Sequence, residues 1–231
     1  MNPTFLLGGE LEVRRLGFGA MRIVDDPVEG VRVLQRALAL GVTLIDTADI
    51  YGTGRSEEII AEALHPYPDG LVIATKGGLG GGFQLRHRDA RPERLRQACD
   101  ESLRRLKLDR IDLYQLHRHD PEVPIEESVG ALEELRVAGK IRLIGLSNIS
   151  VDQLRRAQTV ARIVSVQNEY NRGLLTSEPV LTACEDEGIA FIPWRPLGEG
   201  LRDSVDELRW LLDRSPVIIA IPGTSKVEHL E

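Results

Sequence analysis

A (β/α)8 barrel, also called a TIM barrel, is the fold this sequence predicts, and three observations carry the prediction. Apolar runs too short for helices and too continuous for one-sided strands recur along the whole chain, as parallel strands covered on both faces require. Amphipathic helical patterns lie between them. At three helix-to-strand junctions, LALGVTLID, RVAGKIRLIG and EDEGIAFIP, a glycine (Gly41, Gly139, Gly188) stands where a left-handed helix cap is wanted, and an apolar run follows at once. Strict alternation over 231 residues suits such a barrel, which typically takes ~250. A doubly wound open sheet is the competing arrangement; it is disfavoured because no G-x-G-x-x-G opens the first helix.

In chain order, TFLLGGELEV reads as a hairpin turning at Gly8 and Gly9, placed to plug the bottom of the barrel. The strands are LGFG near residue 16, then Thr43 to Asp46, Leu71 to Lys76, Ile111 to His117, Ile141 to Ser147, Ile163 to Gln167, Ala190 to Trp194 and Val217 to Ile221. In RPERLRQACDESLRRL and IEESVGALEELRVAG the apolar residues recur at three and four, and Ser150 with Gln153 forms a capping box at the next helix start. Residues 1–231 are expected to make one barrel domain.

Composition narrows the function. With 42% hydrophobic and 28% charged residues the chain can bury a sizeable core. Its formal net charge is -7, and no run of Lys or Arg stands clear of acids, so a nucleic-acid backbone would be repelled. The N-terminus MNPTFLLGGELEVRRL has no leader pattern, and no apolar stretch nears the ~20 residues that span a bilayer. A cytoplasmic location is expected. Cys99 and Cys184, in charged, helix-like surroundings, are not a disulfide framework.

A barrel carries its active site at the C-terminal ends of its strands. Asp46 ends the second strand with Tyr51 one loop later, Lys76 ends the third, and His117 ends the fourth. Each alone has an ordinary structural explanation. Together, a carboxylate, an ammonium and an imidazole on adjoining strand ends demand mutual pairing if buried. A phenol holds its proton to about pH 10. An ammonium beside it favours the phenolate and lowers that pKa, and a carboxylate keeps the ammonium charged and aimed. Tyr51 is then a usable proton donor, with His117 set to orient a carbonyl oxygen.

These residues, in the settings LIDTADIYG, IATKGG and DLYQLHR, resemble the catalytic tetrad of the aldo-keto reductases, NAD(P)H-dependent carbonyl reductases built on this barrel. The resemblance covers nearly the whole chain. It implies that Ser147 and Asn148 in GLSN, with Gln167 in VQNEYN, hold the nicotinamide carboxamide. It implies further that Trp194 in PWRPLGEG stacks on the nicotinamide ring and that the Pro196, Leu197 and Gly198 backbone follows the pyrophosphate. IPGTSK resembles the adenosine-phosphate loop, placing Gly223, Thr224, Ser225 and Lys226 at the far end of the cofactor. One cation and two hydroxyls there suit a 2′-phosphate and favour NADPH; His229 stands where many relatives carry an arginine. The expected activity is hydride transfer from NADPH to an aldehyde or ketone, a small-molecule carbonyl substrate. A nicotinamide-binding regulatory module resembling the potassium-channel β-subunits is the alternative.

Three places are short for the family: the loop from Met21 to Val31, the segment from Gly200 to Trp210, and the end at Glu231, which leaves out most of an eighth helix. Omitted segments would put joins near Asp25 and near Leu208–Arg209, truncation being the other explanation, and a missing helix would expose apolar strand surface. GGLGGGF lacks the features of a phosphate loop and reads as a βα loop. The HRHD stretch with His117, His119 and Asp120 invites a metal reading, but with five histidines in the chain a site would need completion by carboxylates, and none is expected.

Overall fold

The structure, a computed structural model, describes residues 3–80, 88–198, 200 and 203–230. Strands β1 (Thr4–Leu7) and β2 (Leu11–Arg14) pair antiparallel with Leu7 opposite Leu11. The turn between them places Gly8 and Gly9 at φ +60° and +72°, the left-handed region that glycine adopts without strain.

Seven strands follow in one parallel sheet, in chain order: β3 (Phe18–Gly19), β4 (Leu44–Asp46), β5 (Val72–Gly77), β6 (Ile111–Leu116), β7 (Ile141–Ser147), β8 (Ile163–Gln167) and β9 (Ala190–Phe191). The eighth predicted strand, residues 217–221, is held by two parallel bridges, Ile218 to Phe191 and Ala220 to Leu16. Ile219 N–H donates to the Phe191 carbonyl and Gly17 N–H to that of Ala220, both at 2.9 Å. The ring therefore closes between β9 and the segment before β3.

The helices are α1 (Pro27–Ala39), α2 (Arg55–Leu64), α3 (Pro92–Leu106), α4 (Ile125–Val137), α5 (Val151–Gln158), α6 (Glu178–Glu187) and α7 (Ser204–Arg214). Their ends follow the local chemistry. Asp26 caps α1 through the N–H groups of Val28 and Glu29, with Pro27 at the first position. The Ser150–Gln153 box is formed in both directions, and Gly41, Gly139 and Gly188 all have positive φ.

Two apolar layers hold the barrel. Inside it, Leu7 and Val13 of the hairpin pack with Leu44, Val72, Leu113 and Leu143, so the hairpin does plug the bottom; a Cβ at Gly8 would stand 2.9 Å from Leu143 Cδ2. Outside it, strand residues such as Ile45, Ile73 and Ile144 meet Leu34, Ile60, Leu95 and Leu132 of the helices.

The two suspected joins fall at helical segments. Asp25 closes a 3-10 turn over Ala20–Val24, and Leu208 and Arg209 lie inside α7. Among the described residues no eighth helix follows residue 221, only a 3-10 turn over Val227–Leu230. The expected exposure of the last strand is nonetheless not found: Val217 to Ile221 are all buried. Val217, Ile218 and Ala220 join the outer layer, where Leu211 of α7 is buried and Leu208, Leu212, Val227 and Leu230 pack from the side, while Ile219 and Ile221 fill the interior. Neighbouring elements cover the last strand.

Candidate active site

The β4 end is extended by backbone bonds to β5. Thr47 N–H donates to the Ala74 carbonyl at 2.8 Å and Asp49 N–H to that of Lys76 at 3.1 Å. Tyr51 N–H then turns back to the Ala48 carbonyl, and Ser56 N–H at the start of α2 reaches the Tyr51 carbonyl. Tyr51 is thus clamped between the end of β5 and the start of α2.

Inside the rim, Lys76 is fully buried. Its Nζ donates to Asp46 Oδ1 at 2.7 Å and to the Thr47 carbonyl at 2.6 Å, and lies 5.2 Å from the centre of the Tyr51 ring. The His117 ring stands edge-on to that of Tyr51, 6.0 Å between centres. The four tetrad residues are together.

Two partners of Asp46 were not anticipated as such. Gln115 Nε2 and Gln167 Nε2 both donate to Oδ2, at 3.1 and 2.9 Å. Gln115 could have been found from its spacing: two residues before His117 on one strand, it points to the same face. Lys76 is its register partner on β5, and Gly145 its partner on β7. A Cβ at Gly145 would stand 2.9 Å from Gln115 Cγ, so the glycine leaves room for that side chain.

The electrostatics follow from burial. Burial pushes the Lys76 ammonium down, but Asp46 and Tyr51 together more than offset it, and the net direction is up: the lysine stays charged. Burial pushes Tyr51 up, and Asp46 and Asp49 add to this, while Lys76 acts the other way. The ammonium therefore works in the expected direction but limits a rise where a net lowering was expected, because desolvation of the phenolate is the larger effect. Burial, then Lys76 and Arg118, hold His117 well below the ordinary histidine range, so it is neutral; its buried Nδ1 has no hydrogen-bond partner among the described residues.

A cavity of about 660 Å³ opens above the tetrad, bounded by Asp46, Tyr51 and His117 on one side and by Asn148, Trp194 and Gly223 on another. Ser147, Gln167, Pro196, Leu197 and Gly198 also line it. Ser147 Oγ donates to the Gln167 carbonyl at 2.8 Å, and Asn148 Nδ2 reaches Ser147 Oγ at 2.9 Å and the His117 carbonyl at 3.2 Å. Trp194 is a cavity wall, half-buried, with Nε1 donating to Asn148 Oδ1 at 2.9 Å. Gly223 meets β3 so closely that a Cβ would stand 2.3 Å from the Gly19 carbonyl oxygen.

Thr224 to Lys226 do not line that cavity. Ser225 and Lys226 border a neighbouring recess with Asp25, Asp26, Glu29 and Glu228. Lys226 Nζ lies 3.4 Å from Glu228, and Thr224 Oγ1 pairs with His229 Nδ1 at 2.9 Å.

The HRHD stretch divides. His117 faces the cavity, while Asp120 accepts from the N–H groups of Ala90 and Glu122. No group of three or more His, Cys, Asp or Glu among the described residues could hold a metal ion. Of GGLGGGF, Gly77 to Gly80 are described, and Gly77 leaves room for Tyr114, whose Oη would stand 2.2 Å from a Cβ there; residues 81–83 lie outside the described residues. No described helix is long and apolar enough to cross a membrane.

Known proteins resemble the chain over most of its length. The model of the Aldo/keto reductase family matches residues 15–207. An uncharacterised oxidoreductase of Schizosaccharomyces pombe is 43% identical over 96% of the chain and 81% of its own length. The pyridoxine 4-dehydrogenase of Escherichia coli is 40% identical over 98% of the chain and 90% of its own length. Among solved structures, a glycerol dehydrogenase from Gluconobacter oxydans superimposes with a TM-score of 0.91 at 29% identity, covering 100% of this chain and 89% of its own. An aldo-keto reductase from Klebsiella pneumoniae in complex with NADPH gives 0.83 at 26%, covering 100% and 87%.

Proposed function

The chain belongs to the aldo/keto reductase family, and from that premise we propose that it reduces the carbonyl group of an aldehyde or ketone with NADPH, Tyr51 being the general acid, and that residues 1–231 act as one barrel domain. The observation that carries this reading is the placement of Lys76 Nζ between Asp46, the Thr47 carbonyl and the ring of Tyr51.

The donor set fits the cofactor. Ser147, Asn148 and the Gln167 carbonyl are tied into one hydrogen-bonded group on a wall of the cavity, and Asp46 holds the Gln167 side-chain amide, which preorganises hydroxyl and amide groups for a carboxamide. Trp194, fixed through Asn148, supplies a ring face. Pro196 to Gly198 and the tight approach of Gly223 to Gly19 supply backbone where a bulkier residue would intrude. Lys226, Ser225 and Thr224 are assigned to the 2′-phosphate. When bound, NADPH supplies a hydride to the carbonyl carbon.

Tyr51 holds its proton at rest, because burial favours the neutral phenol. As the carbonyl oxygen gains negative charge it becomes far more basic than a phenolate, and Tyr51 Oη gives up its proton to it. Lys76 stabilises the phenolate left behind, while Asp46 keeps the ammonium charged. Neutral His117 orients the carbonyl oxygen. The balance is one carbonyl, one hydride and one proton giving an alcohol, with the phenolate reprotonated from solvent.

The test is NADPH oxidation followed at 340 nm with a panel of aromatic, dicarbonyl and sugar aldehydes. Tyr51→Phe should keep NADPH affinity and lose about two or more orders of magnitude in turnover. Full turnover in that variant would discard Tyr51 as the acid; tight NADPH binding with no turnover on any carbonyl would favour a regulatory module.

A further inference from the structure

Arg118, which follows His117 on the rim, lines the same cavity as Tyr51 and His117 and is half-buried. Its backbone is fixed at a rigid point: His117 N–H donates to the Gly77 carbonyl at 2.8 Å, and the His117 carbonyl accepts from Asn148 Nδ2. Yet no carboxylate or carbonyl among the described residues pairs with its guanidinium. Several other part-buried or cavity-lining arginines have carboxylate partners. Arg94 approaches Asp49 and Glu101, Arg105 pairs with Glu57, and Arg195, on the same cavity, lies 3.1 Å from Glu169. In a chain of net charge -7 with acids to spare, a sheltered cation facing the reaction site without a counter-charge is a cost unless something else supplies the anion.

Lys76 is already neutralised by Asp46, the one carboxylate among the described residues that border the cavity. Arg22, also on the cavity and without a carboxylate partner among the described residues, is exposed, so the sheltered open positive charge next to His117 belongs to Arg118. The planar guanidinium fork matches carboxylate and phosphate oxygens in a way that the alcohol or hydrocarbon part of a substrate cannot exploit. We propose that Arg118 is a specificity-determining residue that binds an oxyanion, a carboxylate or a phosphate ester, carried by the substrate a short spacer from its carbonyl group. The assignment rests on the reductase reading above and narrows it to anionic aldehydes or ketones. It also gives the positive charge a role in capture, since a cation on the cavity wall attracts anions towards the tetrad.

The experiment compares matched substrates. With 4-carboxybenzaldehyde and its neutral counterpart methyl 4-formylbenzoate, the wild-type protein should show at least a tenfold higher kcat/KM for the acid, mainly through KM. Glyceraldehyde 3-phosphate against glyceraldehyde tests the phosphate source in the same way. Arg118→Ala should lower kcat/KM for the anionic member of the preferred pair at least tenfold more than for its neutral partner, Arg118→Lys should restore part of the loss, and the Kd for NADPH by fluorescence titration should not change. Equal losses on charged and neutral substrates, or weaker NADPH binding as the main effect, would overturn the assignment and leave the reductase reading standing. If no aldehyde is turned over, that reading fails by itself, and benzoate binding to the NADP+-loaded protein decides the matter: binding lost in Arg118→Ala supports the oxyanion site, and binding indifferent to the variant removes it.

Discussion

Asp46 is a buried carboxylate whose oxygens meet Lys76 on one side and two glutamine amides on the other. Removing a donor to a buried charge costs about 1.5–3 kcal/mol, so Gln115→Leu should lower the urea-unfolding free energy by that much and reduce turnover by loosening the counter-charge of Lys76. Unchanged stability would mean that Gln167 and Lys76 suffice. His117 gives a second test. Its imidazole is held neutral, with a folded-state pKa well below 6.5, so the unfolded chain binds more protons as the solution is acidified. The contribution is present above the unfolded pKa and lost as pH falls below it. From pH 7 to pH 5 the wild type should lose roughly 1–2 kcal/mol more stability than His117→Asn, measured by denaturant titration at each pH. The sequence made the tetrad legible because strand ends in a barrel converge. It did not reveal the sign of the Tyr51 shift, because desolvation depends on how deeply the rim encloses a side chain, and no residue type encodes that.

The β4–α2 loop and the helices beside it behave as a charged element of their own. Glu57, with no exposed surface, accepts from Arg105 and from Thr75 Oγ1, both at 2.6 Å. Asp49 lies 4.0 Å from Arg94, and its Oδ1 has no partner among the described residues. Burial first, then the Glu57 charge, raise Asp49 to about 7. Because the folded pKa is above the unfolded one, the folded state binds the extra proton, and that stabilisation fades as pH rises through about 7. Between pH 5 and pH 8 the wild type should therefore lose roughly 2 kcal/mol relative to Asp49→Asn; parallel curves would show that Asp49 stays ionised. Elsewhere the Ser150 box and the cap at Gly188 were legible as local signals, whereas the Glu57–Arg105 pair joins α2 to α3 and leaves no mark in either helix alone.

Closure of the barrel depends on a residue that reads as surface in RRLG. Arg15 is 4% exposed. Its Nε donates to the Ile218 carbonyl at 3.0 Å and its Nη2 to those of Leu212, at 2.8 Å, and Ser215. The partners lie about two hundred residues away along the chain, so periodicity and capping rules had no access to them, although the last strand itself was legible as an apolar run. With no eighth helix described, the guanidinium ties the end of α7 and the start of the last strand to the strand that begins the ring. Arg15→Met keeps the length and apolar stem of the side chain but leaves three carbonyls without this donor. At about 1.5–3 kcal/mol for hydrogen bonds to a charged group, the loss should be roughly 3 kcal/mol or more. Because Ile221 and Gly223 border the main cavity, hydrogen exchange in residues 216–223 should speed up first, and NADPH affinity should fall with it. Exchange that rises evenly through β4 to β8 would instead mean that the ring opens only when the whole molecule unfolds, with Arg15 contributing to global stability and not to a local seam.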